Sequence, residues 1–340
     1  MNAADLNARA VILPTGTGPE FRLAVERAAR ELRAGGVVAL PTETVYGLAA
    51  NALDPAAVSR IYQVKGRPAG NPLIVHVSGE AMARRCARQW PVLATRLAAA
   101  FWPGPLTLVV PRSAEIPDIV TAGGETVALR WPAHPVMQAV IEACGFPLAA
   151  PSANQSNQIS PTTAHHVRGQ LGDRIPLILD GGASQVGIES TVLDLGTDPP
   201  RVLRPGMIHD ETIRAVTGAL GETTDHAGGV LRSPGQLARH YSPRARLIVR
   251  AWKDQAELEA LCAASGVDRR RLHILAHTRI SGGGRPVTVL PREPEALGRA
   301  LYAELHRCDE AGAELILFEA LPDQTGWRGL RDRLSRASAP

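Results

Sequence analysis

Lysine is almost missing from this chain of 340 residues: Lys65 and Lys253 are the only two, against abundant arginine. Cysteine is sparse too, and Cys86, Cys144, Cys262 and Cys308 lie far apart with no CxxC pair. That spacing excludes a zinc ribbon and a dithiol redox motif and leaves buried free thiols. No apolar run approaches the roughly 18 residues of a membrane span. The first fourteen residues lack a basic stretch followed by an apolar core. A soluble, cytoplasmic protein without membrane contact is therefore expected. Charge of one sign is scarce as well. The formal net charge is +4, spread as +1 up to Ala215, +1 to Ala245 and +2 beyond. Without a polybasic arm, nonspecific nucleic-acid binding is a poor primary function, because phosphate neutralisation needs clustered cations. GxxxxGK[ST], GxSxG and HExxH are all absent, which leaves a P-loop NTPase, an α/β-hydrolase and a zincin unsupported.

What remains is an ordinary globular composition, 45% hydrophobic and 21% charged, which rules out disorder and collagen. At about 150 residues per domain the length suggests two domains. Apolar spacing and a Gly-Gly stop predict a helix over residues 20–34. Short apolar runs at 37–40, 73–77, 106–110, 127–129, 148–150, 177–179 and 191–195 read as strands. Helical stretches at 55–64, 79–88, 91–101, 135–144 and 162–171 separate only some of them, so a mixed α/β sheet fits better than a strictly parallel one. Residues 218–241 have few apolar positions, several glycines and no period, which marks a linker. Beyond it strands (247–249, 272–276, 287–290, 315–318) alternate with helices (255–264, 294–308, 326–334) in a small Rossmann-like pattern without GxGxxG.

Polar clusters sit at the ends of apolar runs, where α/β proteins place ligand-binding groups. The first is PTETVYGL from Pro41, which reads equally as a turn held by its hydroxyls. The second is Lys65-Gly66-Arg67-Pro68, a fork of two cations leading to Asn71 and to His76 in a buried strand. Arginine offers planar paired donors and lysine a compact charge, a combination suited to polyphosphate. A solvated basic turn and a satisfied core histidine are the plainer readings. Removing either cation should lower turnover far more than stability. The third, Pro151 to Thr162, gathers hydroxyls and amides before a helix, where Ser160 is either a ligand group or the helix cap. Arg130 and Arg204 each close an apolar strand, and Ser190 opens one. Cations and hydroxyls with no evident nucleophile or paired base suit phosphoryl or nucleotidyl transfer, which works by positioning and charge neutralisation.

The ordered series PTETVYGL, KGRPAGNPLIVHV, FWPGPLTLVV, TVALRWP, PSANQSNQISPT, GIESTVLDL and RVLRPG resembles the YrdC/Sua5 family between about residues 34 and 206. Ser233-Pro234-Gly235 and His240-Tyr241-Ser242-Pro243 before the second α/β region look like its longer form. The resemblance implies a YrdC-like twisted mixed sheet with flanking helices over 1–217, a linker or lid over 218–245, and a smaller Rossmann-like C-terminal domain over 246–340. It implies an L-threonylcarbamoyladenylate synthase, joining L-threonine, bicarbonate and ATP, with Mg²⁺ on the phosphates, for the t6A modification of tRNA. The product would pass to the downstream tRNA threonylcarbamoyl transferase machinery, with tRNA itself bound weakly or not at all. Carried over by motif, Thr44, His76, Arg130, Ala150 and Ser190 would surround L-threonine, with Arg130 on its carboxylate. Lys65, Arg67, Asn71, Thr126, Ser152, Asn154, Ser160, Arg204 and Tyr241 would contact ATP, Lys65 and Arg67 acting in catalysis and Tyr241 as a lid. Two departures stand out: Asn157 where the family usually has glycine, and the missing aromatic-basic pair near Leu237 and Ala238. The competing assignments are an RNA-binding module and a carbamoyl-adenylate-forming carbamoyltransferase, whose zinc-binding cysteines and acylphosphatase module are not found here.

Overall fold

The computed structural model describes residues 10–222, 233, 235 and 239–339. It divides into two compact units, Met1–Ser156 with Ser160–Gln236, and Asn157–Ile159 with Leu237–Pro340. The first contains β1 (Val11–Pro14), α1 (Pro19–Arg33), β2 (Val38–Leu40), β3 (Gly47–Asn51), α2 (Pro55–Lys65), β4 (Ile74–His76), α3 (Glu80–Cys86), α4 (Val92–Phe101) and β5 (Leu106–Pro111). It continues with α5 (Asp118–Thr121), β6 (Thr126–Arg130), α6 (Pro135–Cys144), β7 (Leu148–Ala149), α7 (Ala164–Leu171), β8 (Leu177–Asp180), β9 (Thr191–Asp194), β10 (Arg201–Arg204) and α8 (Asp210–Thr217). The strands form one ten-stranded sheet in the order β1-β8-β2-β3-β7-β4-β6-β5-β9-β10. Parallel pairs such as β4 with β6 adjoin antiparallel ones such as β5 with β6, which is the mixed sheet the sequence suggested.

Alternation along each strand sends successive side chains to opposite faces. One face, through Leu48, Val75, Leu108, Leu129 and Leu193, joins the main core with Ile61 of α2, Leu97 of α4 and Val167 of α7. The other face is divided. Over β8, β2, β3 and β7 it is closed by α1 and α6, with Ala28, Leu32, Met137, Val140 and Ile141 against Val38, Leu40, Leu148 and Leu179. Over β4, β6, β5, β9 and β10 its apolar cluster consists of strand residues alone, Ile74, Ala128, Val109, Val192 and Leu203. The candidate site lies on that second half.

The helices that close the first half have clear local causes. Each carries a proline in its first turn, where the missing N–H costs nothing. In α6 the His134 ring nitrogen Nδ1 accepts from Val136 N at 3.2 Å, and Gly145, at φ 76°, ends the helix. Two strands escape a reading by pattern: β1 is four residues ending in proline, and β3 is built of glycine, alanine and asparagine, which have low strand propensity. Helix α7 starts at Ala164 with Thr163 as its cap, the Oγ1 accepting from His166 N at 3.2 Å. Ser160 is therefore not the cap of this helix.

The second unit contains β11 (Arg246–Arg250), α9 (Gln255–Ala264), β12 (Leu272–Ala276), β13 (Val287–Val289), α10 (Pro294–Glu310), β14 (Leu315–Glu319) and α11 (Arg328–Ala337). Its four strands pair in parallel in the order β11-β14-β12-β13, as the strand–helix alternation implies. The expected helix at 326–334 opens with a 3₁₀ turn, Thr325–Trp327. Residues 157–159 cluster with this unit: Ser242 N donates to Asn157 O at 2.8 Å. Asn157 holds φ 67°, a left-handed conformation that asparagine tolerates better than most residues. No helix among the described residues is long and apolar enough to cross a membrane.

Candidate active site

The Lys65–Arg67 fork is made by the end of a helix. Asp54 caps α2, its side chain accepting from Ala56 N at 2.9 Å, and the helix stops at Gly66, whose φ of 61° suits glycine. Lys65 is thus the last helical residue, where a cation meets the negative end of the helix dipole, and Arg67 leaves on the far side of the turn. The Lys65 Nζ donates to the carbonyls of Ser152 and Asn154, both at 2.6 Å, and to Asn154 Oδ1 at 3.1 Å. Ser152 Oγ donates to the same Oδ1 at 2.5 Å. The helix end and the Ser152–Asn154 loop, 87 residues apart in sequence, are therefore one hydrogen-bonded unit.

Lys65 is buried. Burial first, and the neighbouring Arg67 charge second, hold its ammonium well below the usual lysine range. Arg67 donates from Nε to Asn71 O at 3.0 Å and from Nη2 to Pro72 O at 2.7 Å. The Asn71 carboxamide is buried, and neither its nitrogen nor its oxygen has a hydrogen-bond partner among the described residues. A buried amide left unmet costs about 1–3 kcal/mol, so a ligand group is the economical explanation. Removing Lys65 would strand three acceptors, which makes its stability cost larger than the sequence alone implied.

Arg130 and His76 are register partners on β6 and β4. The Arg130 Nη2 lies 2.7 Å from Glu43 Oε1, both side chains nearly buried, and its Nε donates to Gly104 O at 3.2 Å. Glu43, from the segment after β2, was not among the residues singled out in the sequence; a lone carboxylate between two threonines carries no signal of a partner 87 positions away. His76 is held well below the usual histidine range, by burial first and by Arg130 second, so the ring is neutral at neutral pH. Thr44 Oγ1 sits 2.8 Å from Thr42 Oγ1, and Thr42 donates to Val45 O at 2.6 Å. Thr42 Oγ1 also accepts from Thr44 N and Val45 N, both at 3.2 Å, so this turn is held by its own hydroxyls.

Arg204 reaches this face through an irregularity. Val202 pairs with Leu193 and Arg204 with Val192, so one residue is bulged out and Arg204 turns to the side of Val192. Its Nε donates to Ser190 O at 3.1 Å and its Nη2 to Ser190 Oγ at 3.0 Å. Gly206 follows at close quarters: a Cβ there would lie 2.6 Å from Thr191 N. Ser160 Oγ donates to Glu189 at 2.5 Å. Ala150 is buried beside β7, and its N–H donates to Ile74 O at 3.0 Å. Thr126 stands on the same face as Arg130 but four residues earlier, about 13 Å along the strand. Tyr241 belongs to the second unit, where it is buried against Tyr302 at 5.9 Å between centroids, under Arg333 at 5.2 Å. Leu237 and Ala238 lie outside the described residues.

Among the described residues no three His, Cys, Asp or Glu side chains group to hold a metal. Of the buried carboxylates here, Glu43 is engaged with Arg130 and Glu189 with Ser160. The donor set does not fit a resident divalent ion. Four buried cations stand against these two carboxylates, a chemistry directed at anions.

Such a site, rich in buried basic side chains on one half of a mixed sheet in a chain that continues with a small parallel α/β unit, suits anionic ligands. Residues 30–206 match the family model described as "Telomere recombination", which covers Sua5, YciO and YrdC proteins, and residues 208–339 match "Threonylcarbamoyl-AMP synthase, C-terminal domain". The threonylcarbamoyl-AMP synthase of Pyrococcus abyssi is 40% identical over 321 residues, covering 92% of this chain and 93% of its own. That of Bacillus subtilis is 39% identical over 338 residues, 92% of each chain. The crystal structure of the P. abyssi protein complexed with L-threonine superposes with a TM-score of 0.87 at 38% identity, over 97% of this chain and 98% of that one. The chain belongs to the threonylcarbamoyl-AMP synthase family.

Proposed function

We propose that this enzyme condenses L-threonine with bicarbonate and transfers the resulting carbamate to the AMP moiety of ATP, releasing pyrophosphate. The observation that carries this reading is the set of four buried basic side chains, Lys65, Arg67, Arg130 and Arg204, placed at a helix end and at the ends of two strands. Burying an excess of positive charge is costly unless anions arrive to meet it. Arg130, with Thr44, His76, Ala150 and Ser190, receives the amino acid, its guanidinium on the carboxylate. Lys65, Arg67, Asn71, Thr126, Ser152, Asn154, Ser160 and Arg204 receive the nucleotide. Mg²⁺ enters with ATP as part of that substrate.

The threonine nitrogen bonds to the carbon of bicarbonate, and water leaves. A carbamate oxygen then bonds to the α-phosphorus as the bond to the β-phosphate breaks, and pyrophosphate carries away the electron pair. Lys65 and Arg67 neutralise charge on the departing phosphates, so positioning and electrostatics suffice. The product supplies the cytoplasmic machinery that modifies tRNA, and tRNA itself is bound weakly or not at all.

The test is pyrophosphate release from ATP with Mg²⁺ and bicarbonate, with and without L-threonine, and the mass of the nucleotide product. Threonine-dependent release with a threonylcarbamoyl-AMP peak is expected. Release that ignores threonine, or no turnover, would overturn the reading.

A further inference from the structure

In β5 the run Leu106-Thr107-Leu108-Val109-Val110 is apolar except at one position, and Thr107 is fully buried. A valine has nearly the same shape and brings no polar atom, so the hydroxyl requires a reason. Its Oγ1 lies 2.7 Å from Ser190 Oγ, and this is its one hydrogen bond among the described residues. Ser190 also receives Arg204 Nη2 at 3.0 Å. A guanidinium only donates, so that contact uses one of the two lone pairs on Ser190 Oγ.

Two proton arrangements remain. If Ser190 donates to Thr107, the Thr107 proton is buried without an acceptor, and Ser190 turns a lone pair towards the substrate. If Thr107 donates to Ser190, both Ser190 lone pairs are filled and its own proton points to whatever acceptor the ligand supplies. An arriving carboxylate is repelled by the first arrangement and completed by the second. We propose that Thr107 is a positioning residue that, with Arg204, fixes Ser190 as a hydrogen-bond donor to the carboxylate of the bound amino acid. The proposal rests on Ser190 lining the threonine subsite.

The experiment measures L-threonine affinity by calorimetry, and KM for L-threonine and for ATP, on the full-length T107V, T107S, S190A and T107V/S190A proteins, with a thermal melt of each. T107V should weaken threonine binding about 3- to 10-fold, the worth of one net hydrogen bond, while the ATP KM stays within about twofold. T107S should bind threonine as the unmodified protein does. The double variant should bind no more weakly than S190A, because Thr107 acts through Ser190. Should T107V not fold, T107C, with its weak donor, should show the same selective loss. Unchanged threonine affinity in T107V, equal losses for threonine and ATP, or failure of T107S to restore binding would each overturn the proposal. An S190A protein with unchanged threonine affinity would instead remove the placement of Ser190 on which it stands.

Discussion

The two halves of the large sheet use the same backbone for opposite ends. Over β8, β2, β3 and β7 the face opposite the main core carries Val38, Leu40, Leu148 and Leu179, and α1 and α6 bury it. Over β4, β6, β5, β9 and β10 the same face carries His76, Arg130, Thr107, Ser190 and Arg204 between the five residues of a small strand-only cluster. Exchange of apolar for polar side chains at alternate positions therefore separates a half that stabilises from a half that binds. The covered half converts area into stability, at about 25 cal/mol per Å² of apolar surface removed from water. The polar half is costly to bury, a cost that the anionic substrates of the proposed function would offset.

Substitutions should break this contrast in a graded way. Lys65→Ala is expected to have the largest effect, lowering threonine-dependent pyrophosphate release by about a thousandfold. It should also cost about 1–3 kcal/mol in a denaturant melt, because the carbonyls of Ser152 and Asn154 lose their donor. Ile141→Ala, in the covered half, should behave the other way. Its cavity should cost about 3 kcal/mol of stability, while turnover of the folded fraction stays within about twofold when assayed well below the melting temperature.

Glu43→Gln sharpens the comparison inside the polar half. The ion pair with Arg130 holds the guanidinium in place, so its loss should raise the L-threonine KM by about tenfold and leave the ATP KM unchanged. Equal increases in both would assign Glu43 a merely structural role. The smallest effect concerns pH. The folded-state pKa of His76 is depressed, so the unfolded chain binds its proton first as pH falls. Stability attached to this ring is therefore full above the unfolded value near 6.5 and is lost as pH drops towards the folded value. Between pH 7.5 and 5.5, His76→Gln should flatten the decline in melting temperature relative to the unmodified protein, by no more than a few degrees.

Much of this architecture was legible before folding. Helices α6 and α9 coincide with their expected limits, 135–144 and 255–264, because proline starts, cap residues and apolar spacing all act within a few residues of one another. Strand β3 was not legible, since Gly47, Ala49 and Ala50 are chosen for close packing rather than propensity: a Cβ on Gly47 would meet Ala150 Cβ at 3.2 Å. The Lys65–Arg67 fork and the Ser152–Asn154 loop were both carried over to ATP by motif, but the bonds from Lys65 to that loop were not foreseen. The Glu43–Arg130 pair, the Ser160–Glu189 bond and the Thr107–Ser190 contact were not foreseen either, because each joins residues from distant segments with no shared local pattern.

The sequence by itself determined most of the elements, though not β1 and β3, together with the two α/β regions, the cationic and hydroxyl character of the strand ends, and through ordered motifs the family. Those properties are local, and local physics of turns, caps and alternation suffices to set them. Tertiary structure alone decided which face of the sheet is polar, that the bulge before Arg204 turns its guanidinium onto that face, and which hydroxyls meet, Thr107 with Ser190. These depend on long-range strand register and on burial, and a hydrogen bond acquires direction only when both partners are in place.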